Sequence, residues 1–288
     1  MAHTNPVTAT AREIYAATIM SELPKLVAPI KGFTTDFSKD AAEPGETISA
    51  DFAISSDLYE VFPGYTKFAE GLKHAKVDLN IDLSAGFKVT ETSLMKNGAA
   101  HLQAAARLNA AKVVNGFLAK ITEAAMGVKA TQALTVPANF GIDALKAIYA
   151  KLIACDIDPT QATVALSATD YAALVGALPY NIIGNAEGIV NGNIAKAFGL
   201  NIVCVPTVAA NGFASAPTGV MVAARAIPVV GELEGGFYRE TVTEPTTGLT
   251  LSLTQSRDLD SGALNFSARL IGGVEIGDPK AIVKITRG

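Results

Sequence analysis

Residues 90–126 read TETSLMKNGAAHLQAAARLNAAKVVNGFLAKITEAAM, and their spacing predicts one long amphipathic helix. No proline interrupts the stretch, Thr90 or Thr92 is placed to cap its start, and Gly127 follows as a C-terminal stop. At 1.5 Å per residue the helix is about 50 Å long, which is more than a compact globule of this size needs. We therefore expect it to run as a spine through an elongated molecule. The predicted buried face consists of Leu94, Gly98, Leu102, Ala106, Ala110, Val113, Phe117, Ile121 and Ala124.

The middle of this stretch is rich in alanine, which allows another backbone to lie close against it. A coiled-coil arm is the alternative, but the stripe lacks the sustained leucine or isoleucine heptads that a coiled coil requires. The pattern therefore favours a spine helix.

The 288-residue chain carries few charges for its length. Asp, Glu, Lys and Arg make up 17% of it, against about 25% in ordinary soluble domains. A monomer with so few charges would be poorly soluble, so we infer that other subunits cover much of its surface. The net charge of −4 also argues against a general nucleic-acid-binding protein, which carries a basic face.

Membrane and secretion signals are weak in this sequence. The uncharged run at residues 197–224 is interrupted by two prolines and two asparagines, so it does not read as a spanning helix. Residues 1–10 lack a basic segment followed by an apolar one, and no secretory signal is predicted. Cys155 and Cys204 lie in apolar contexts, which predicts buried thiols in a reducing cytoplasm rather than a disulfide.

The N-terminal region is predicted to be a short helix followed by an extended arm. Residues 12–26 show a helical stripe that Pro24 and Pro29 end. Residues 31–44 contain Phe33 and Phe37 without a periodic pattern, so we expect these rings to pack against another copy of the chain. The alternative is a disordered tail.

Strand patterns follow on both sides of a turn. Residues 47–54 alternate loosely, and a second apolar run covers residues 58–68 around Pro63-Gly64, which predicts a long two-stranded loop. A lone hairpin is only marginally stable in water, so this loop needs a partner surface. Residues 75–90 then alternate cleanly and predict one half-buried strand that leads into the spine helix.

The rest of the chain alternates between short helices and strands. Residues 139–178 predict helix, strand and helix, with Ser167 capping the second helix, and a loop rich in glycine and asparagine follows. A short helix at 194–198 and strands at 200–205 and 218–224 complete a small α/β domain. The C-terminal part predicts strands near 237–242, 249–254, 264–270 and 281–285, with turns at 244–248 and 258–262.

Motifs for catalysis, cofactors or metals are absent from the sequence. His3, His74 and His101 are far apart, no phosphate-binding loop occurs, and the glycines at 184, 188 and 192 have the wrong spacing for a dinucleotide site. Ser167 reads as a helix cap, and Asp156 and Asp158 flank a turn. We therefore predict no catalytic residue, no cofactor and no metal site, and that the protein is not an enzyme.

The order of these elements resembles the major capsid (coat) proteins of tailed bacteriophages, whose shell fold was first seen in a Hong Kong coliphage. The most similar stretches are residues 77–125, residues 162–178 (ATVALSATDYAALVGAL) and the β-rich segment 245–285. The resemblance implies an α+β fold. It divides the chain into an N-terminal arm (1–44), an extended β loop (45–75), a peripheral domain with the spine helix and a β-sheet (76–136), an α/β axial domain (137–225) and a C-terminal β segment of the peripheral domain (226–288).

The resemblance further implies self-assembly into the hexamers and pentamers of an icosahedral head that encloses double-stranded DNA. Implied partners are a separate scaffolding protein, a portal, an optional decoration protein and the packaged DNA, which is contacted weakly and without sequence preference; no membrane is involved. The implied location is the virion, after assembly in the host cytoplasm. The candidate inter-subunit contact residues are Phe33, Phe37, Phe52, Tyr59, Phe62, Asn185 and Asn191.

Two alternatives remain open from the sequence. An encapsulin-type nanocompartment shell of bacteria shares the fold, and neighbouring genes for a portal and terminase or for a cargo enzyme would distinguish it. A soluble α/β enzyme is the alternative of a different class, and it predicts a monomer or a small oligomer.

Overall fold

The computed structural model describes residues 6–41, 47–53, 72–128, 132–177, 196–205, 212–227, 237–258 and 260–288. The helices in these ranges are α1 (Pro6–Val27), α2 (Glu91–Gly127), α3 (Ile142–Ala154) and α4 (Ala168–Ala177). The strands are β1 (Thr34–Ala41), β2 (Thr47–Ala53), β3 (Leu72–Asp78), β4 (Ile81–Val89), β5 (Ala133–Val136), β6 (Thr163–Ser167), β7 (Lys196–Ala197), β8 (Leu200–Val205), β9 (Gly212–Ser215), β10 (Val220–Ala226), β11 (Tyr238–Thr243), β12 (Thr250–Arg257), β13 (Leu264–Ile276) and β14 (Ile282–Arg287).

Helix α2 confirms the predicted spine. Thr90 is its N-cap, because the Thr90 hydroxyl accepts a hydrogen bond from the Ser93 backbone N–H at 3.2 Å. The helix ends at Gly127, but the chain leaves in an extended conformation at Val128 rather than through a left-handed glycine. The side chains that it buries are Leu102, Ala106, Ala110, Val113, Val114, Phe117, Leu118, Ile121 and Ala125.

The first sheet packs against α1 and α2. Its strand order is β1-β10-β13-β12-β11, and β4 pairs with β13 on the edge opposite β12. Side chains of β13 and β4 alternate between the core and the outside, as their sequences predicted. Aromatic rings pack together in this core: the Phe266 ring stacks on that of Phe87 at a centroid distance of 5.4 Å, and the Tyr15 ring is tilted against it at 5.2 Å.

The second sheet has the order β5-β14-β9-β6-β8-β7 and, together with α3 and α4, forms the α/β unit. All residues of the central strand β6 are buried. Ser167 caps α4 as predicted, since its hydroxyl accepts from the Asp170 backbone N–H at 3.1 Å and donates to the Asp170 carboxylate at 2.8 Å. Arg287, in the last strand, donates to the other oxygen of the same buried carboxylate.

Three strands, β5, β10 and β14, lie in a different sheet from the one that the predicted segments suggested. Strand β10, inside segment 137–225, joins the first sheet by antiparallel pairing with β13. Strand β14, inside segment 226–288, joins the second sheet, where it pairs with β5 and β9. Strand β5 also belongs to the second sheet. The two halves of the molecule are therefore tied together by strands that cross between them.

Two local predictions were wrong. The single strand predicted for residues 75–90 is two strands, β3 and β4, which belong to different sheets and are separated by a tight turn in which the Asn80 N–H donates to the Asp78 carbonyl. The short helix predicted at 194–198 is instead a hairpin over its described residues, because Phe198 and Gly199 both have positive φ angles and join β7 to β8. Two consecutive residues with positive φ are typical of a two-residue β-hairpin turn.

The N-terminal region folds onto the chain's own body, contrary to the expectation of an uncompacted arm. Helix α1 continues through Pro24 to Val27, and a 3-10 turn at Ala28–Gly32 contains Pro29. Residues 34–41 form β1, which pairs in parallel with β10. The α1 side chains buried in the shared core are Ala11, Tyr15, Ile19, Leu23 and Val27.

Candidate assembly surfaces

Strands β2 and β3 form a two-stranded antiparallel ribbon, with pairing from Thr47↔Asp78 to Ala53↔Leu72. Its base is fixed to the body by a small apolar cluster, in which Ile48 and Val77 pack against Met221 and Ala223 of β10. The alternate side chains of β10, Val220, Val222 and Ala224, belong to the main core. Strand β10 therefore binds the ribbon with one face and the core with the other.

The remote end of the ribbon leads into residues 54–71, which lie outside the described residues. In the described part of the chain, neither β2 nor β3 pairs with a third strand. Phe52 lies on β2 opposite Lys73, near that remote end. Tyr59 and Phe62 fall within 54–71, and Asn185 and Asn191 fall within 178–195, so these four candidates also lie outside the described residues.

The structure separates the two N-terminal candidates. Phe33 is only 5% exposed, and its ring stacks on that of Phe213 at a centroid distance of 6.0 Å, so no ring surface is left for a second copy. Phe37 lies in β1, opposite Ala224 of β10. The backbone of Phe37 and the base of the ribbon therefore both lie next to β10. Phe33, in contrast, belongs to the core.

Helix α1 is held by polar contacts as well as by its apolar face. The Arg12 guanidinium lies 3.7 Å from the centre of the Tyr238 ring, an attractive cation–π geometry. Burial raises the pKa of Glu240, although the nearby Arg12 charge and a hydrogen bond from the Tyr238 hydroxyl favour its ionised form. Asn109 of α2 donates to the Tyr15 hydroxyl at 3.4 Å, and burial raises the pKa of Tyr15 to about 12 despite that bond.

Sequence reasoning missed several exposed apolar side chains. Leu108 of α2 is exposed and is not part of the predicted buried face. Its spacing from Leu102 and Ala106 places it on a different side of the helix, which was the signal available in the sequence. Phe198, at the β7–β8 turn, is also exposed, and the sequence analysis had placed it in a short helix. The large apolar residues that are exposed, with their exposed fractions, are Met20 (55%), Leu108 (64%), Ile153 (54%) and Phe198 (37%).

No group of three or more His, Cys, Asp or Glu side chains in the described ranges is placed to hold a metal ion. None of the described helices is both long and apolar enough to cross a membrane. Cys155 and Cys204 are free thiols and half-buried, and the Cys155 thiol donates to the Gln132 side-chain oxygen at 2.6 Å.

A family model described as phage capsid protein matches residues 86–285 of this 288-residue chain. The chain belongs to the phage capsid protein family. The matched range begins within β4, includes α2, the helices of the α/β unit and strands β10–β13 of the first sheet, and ends within β14. No curated protein matches the sequence of this capsid protein.

Solved structures share the fold of this capsid protein at low sequence identity. A structure from Mycobacterium phage Che8 has a TM-score of 0.53 and 15% identity and covers 84% of this chain and 85% of its own. The crystal structure of a virus-like particle from Pyrococcus furiosus has a TM-score of 0.54 and 14% identity, with 95% and 98% covered. The capsid of Ralstonia phage GP4 has a TM-score of 0.53 and 7% identity, with 88% and 86% covered.

The predicted tailed-phage capsid fold is therefore confirmed. Family membership makes this chain a major capsid protein, a structural shell protein that associates with copies of itself and is located in the virion capsid. For such a protein the functional sites are surfaces, and the ribbon is a two-stranded sheet that joins neither of the two larger sheets.

Proposed function

We propose that this capsid protein assembles into hexamers and pentamers of an icosahedral phage head around double-stranded DNA, and that the β2–β3 ribbon makes the principal contact with neighbouring subunits. The observation that carries the proposal is the small anchor of the ribbon. Ile48 and Val77 hold its base, and beyond them the described strands pair only with each other. An isolated two-stranded ribbon is marginally stable in water, so a neighbouring subunit is needed to cover it.

The contact residues that we propose follow from this placement. Phe52 and the neighbouring Tyr59 and Phe62 would contact the adjacent subunit through the ribbon and its tip. Phe37, on the edge strand β1, would contribute next to the ribbon base, and Asn185 and Asn191 would lie at the axis of the rings. Phe33 is left out because its ring is buried.

Further partners complete the proposal. A separate scaffolding protein and a portal would direct closure of the shell in the host cytoplasm, and a decoration protein is an optional outer partner. Contact with the packaged DNA would be weak and independent of sequence, because the chain has a net charge of −4 and phosphate contacts need lysine or arginine side chains.

A truncated ribbon tests the principal contact. In this variant Asn-Gly replaces residues 50–75 and connects Ser49 to Lys76, two residues that are paired across the ribbon. Asn-Gly favours a tight two-residue hairpin turn. Ile48 and Val77 remain, so the body should keep its fold, its helical content by circular dichroism and its thermal transition. We expect this variant to stay monomeric or form small oligomers under conditions in which the full chain forms closed particles. Closed particles of normal size from a folded, truncated protein would refute the proposed contact.

A shell around protein cargo is the second candidate. The match to a virus-like particle from Pyrococcus furiosus, which covers 95% of this chain and 98% of its own, supports keeping a shell other than a phage head as a candidate. Purified native particles distinguish the two: nuclease-protected double-stranded DNA of uniform length supports the phage head, and a single enclosed enzyme supports the cargo shell.

A further inference from the structure

A cleft of about 540 Å³ opens between the N-terminal segment and the α/β unit. One wall is the end of α1 with the following 3-10 turn, and the other is formed by β6, β8 and α4. Its volume is within the range of small-molecule sites in proteins. The side chains that matter for its chemistry are Lys25, Lys31, Thr163, Tyr171, Asn201 and Cys204.

The two walls meet at a closed base. The buried Thr163 hydroxyl lies 3.4 Å from the Gly32 carbonyl oxygen. A Cβ at position 32 would lie only 1.9 Å from the same hydroxyl, so the backbone of the 3-10 turn approaches β6 as closely as a glycine allows. The N-terminal segment and the α/β unit are therefore in close contact at this side of the cleft.

The charge in the cleft is positive. The described lining residues include two lysines and no carboxylate. Glu22, which pairs with the lining residue Lys25 at 3.4 Å, also pairs with Arg107 at 3.3 Å, so one carboxylate faces two cations. Lys31 is exposed and forms no ion pair with any residue in the described part of the chain. A chain with a net negative charge thus holds a local site that attracts anions.

The opposite wall offers neutral polar and aromatic groups. The Asn201 backbone N–H donates to the Ala162 carbonyl, while its side-chain amide makes no hydrogen bond to another described residue. The half-buried Tyr171 ring and the Cys204 thiol complete this wall. An amide and an aromatic ring facing two ammonium groups suit a ligand that has a planar polar part and a charged part.

We propose that this cleft binds a small phosphate-bearing anion of the size of a nucleotide. Lys31 and Lys25 would donate charge-assisted hydrogen bonds to the phosphate oxygens, and Asn201 and Tyr171 would contact the remainder of the ligand. Free nucleotides and the phosphate groups of DNA share this chemistry, so both are sources to be compared. The inference is independent of shell assembly, because the cleft lies within one chain.

The Cys204 thiol reports occupancy of the cleft. The full-length protein is labelled with an aromatic disulfide reagent, and peptide mass spectrometry follows Cys204 and Cys155 separately. Burial raises the pKa of the Cys204 thiol, so the reaction is run at mildly alkaline pH. Pyrophosphate, adenosine monophosphate and a short DNA duplex are added in turn, with sodium chloride at matched ionic strength as the control. Cys155, which is absent from the described lining, is the internal reference.

We expect pyrophosphate and the nucleotide to slow labelling of Cys204 in a saturable way and to leave Cys155 unchanged. In Lys31→Ala the half-protecting concentration should rise about tenfold or more, as expected for loss of a charge-assisted hydrogen bond. Lys112→Ala, which removes an exposed lysine from α2, should behave like the unaltered protein. Protection by the duplex as well would identify DNA phosphate as a further source.

Three results would overturn the proposal: no protection by any phosphate compound, equal protection by sodium chloride, or unchanged protection in Lys31→Ala. Particle formation is monitored in the same samples by electron microscopy. If Lys31→Ala forms normal particles, a loss of phosphate binding in the cleft can be distinguished from a defect in the proposed assembly.

Discussion

At the scale of single residues, Glu244 shows how a buried carboxylate fixes a turn. It lies between β11 and β12 and is 1% exposed. One of its oxygens accepts hydrogen bonds from the backbone N–H groups of Thr246 and Thr247 and, at 2.6 Å, from the Thr247 hydroxyl. Burial alone would raise the pKa, but the hydrogen bonds from Thr247 and Thr246 outweigh it and lower the pKa of Glu244 to about 2.

Glu244→Gln tests this interpretation. Glutamine offers a weaker acceptor in the same place, so the free energy of unfolding at neutral pH should fall by about 1–3 kcal/mol. Because the folded-state pKa lies below the ordinary value, the stabilisation is complete above pH 4.5 and is lost as the pH falls towards 2. Chemical denaturation of both proteins across this range should show their stabilities converging as the medium becomes acidic.

Glu123→Gln is the matched control, because Glu123 is an exposed carboxylate that pairs with Lys120 on the surface of α2. Its stability at neutral pH should stay within about 0.5 kcal/mol of that of the unaltered protein. If Glu244→Gln changed stability no more than this control, the buried hydrogen bonds would not be the cause of the low pKa.

At the scale of elements, helix α1 is part of the core and not an arm. Leu23 and Ile19 are fully buried in the cluster that also contains Phe117 and Ile121 of the spine helix. The contacts between α1 and α2 connect residues far apart in the sequence, such as Tyr15 with Asn109 and Glu22 with Arg107. Helix α1 therefore stabilises the same structure that the spine helix supports.

Leu23→Ala should lower the free energy of unfolding by about 2–5 kcal/mol, the usual cost of a buried leucine. Met20→Ala, three residues earlier on the same helix and 55% exposed, should change it by about 0.5 kcal/mol or less. Urea denaturation followed by circular dichroism measures both. Equal effects of the two substitutions would mean that α1 is detached from the body in solution.

Strand β13 is an element in which glycine is required. It runs without interruption through Gly272 and Gly273, although this pair resembles a break in the sequence. A Cβ at position 272 would lie 2.7 Å from the Phe117 ring, and one at position 273 would lie 2.2 Å from the Asp78 carbonyl oxygen. The strand therefore passes closely between the spine helix on one side and β3 on the other.

Gly273→Ala should destabilise the protein by about 1–3 kcal/mol or more, because the clash is with backbone that belongs to another strand. Gly176→Ala, in α4, is the control: a Cβ there meets no atom within 4 Å, and alanine should stabilise the helix by up to about 1 kcal/mol. Thermal melts of the two variants should shift in opposite directions. A neutral Gly273→Ala would contradict the close packing of β13 on β3.

The spine helix, β4 and β13 were predictable because their buried side chains recur with a fixed period. The fully buried strand β6 was predicted from its apolar run, and the turn at Glu244 from its proline and glycine. Strand β9 was missed because its four residues, Gly212–Ser215, are all buried and, unlike those of the equally buried β6, include no β-branched residue. The break between β3 and β4 was missed because Leu79 and Asn80 continue the alternation of the strands on either side.

The candidate contact residues were less predictable for a physical reason. Phe33 and Phe37 lie in the same short polar stretch of sequence, and nothing in that stretch distinguishes them. The tertiary fold places the Phe33 ring against that of Phe213. A sequence shows that an aromatic residue needs a partner surface, and it does not show whether that surface belongs to the same chain. For the ribbon, the strand at residues 47–54 was predicted correctly, but its predicted partner at 58–68 was wrong, because β2 pairs with β3 at residues 72–78. The alternating pattern of residues 75–90 had placed most of β3 in one longer strand.

At the scale of the whole molecule, the two sheets are tied by exchanged strands. Strand β10 reaches from the α/β segment into the first sheet, and β14 returns from the first sheet to the second. The last strand is fixed by the contact of Arg287 with the buried Asp170 carboxylate. The body is thus a connected unit from which the ribbon extends, an arrangement suited to a shell in which rigid bodies are joined by extended contacts.

The surface composition agrees with this arrangement. Only 17% of the residues are charged, and large apolar side chains are exposed on α1, α2, α3 and the β7–β8 turn. Contacts between copies would cover such side chains and would reduce the need for charged groups on the surface. The low charge of the single chain is therefore expected if other copies cover part of its surface.

Electron microscopy of the purified full-length protein, combined with sedimentation velocity on the same sample, tests the central claim most directly. The account predicts closed icosahedral particles with rings of five and six subunits, in equilibrium with few free chains. A sample that contains only folded monomers or small open oligomers, both alone and when co-expressed with a scaffolding protein, would contradict it.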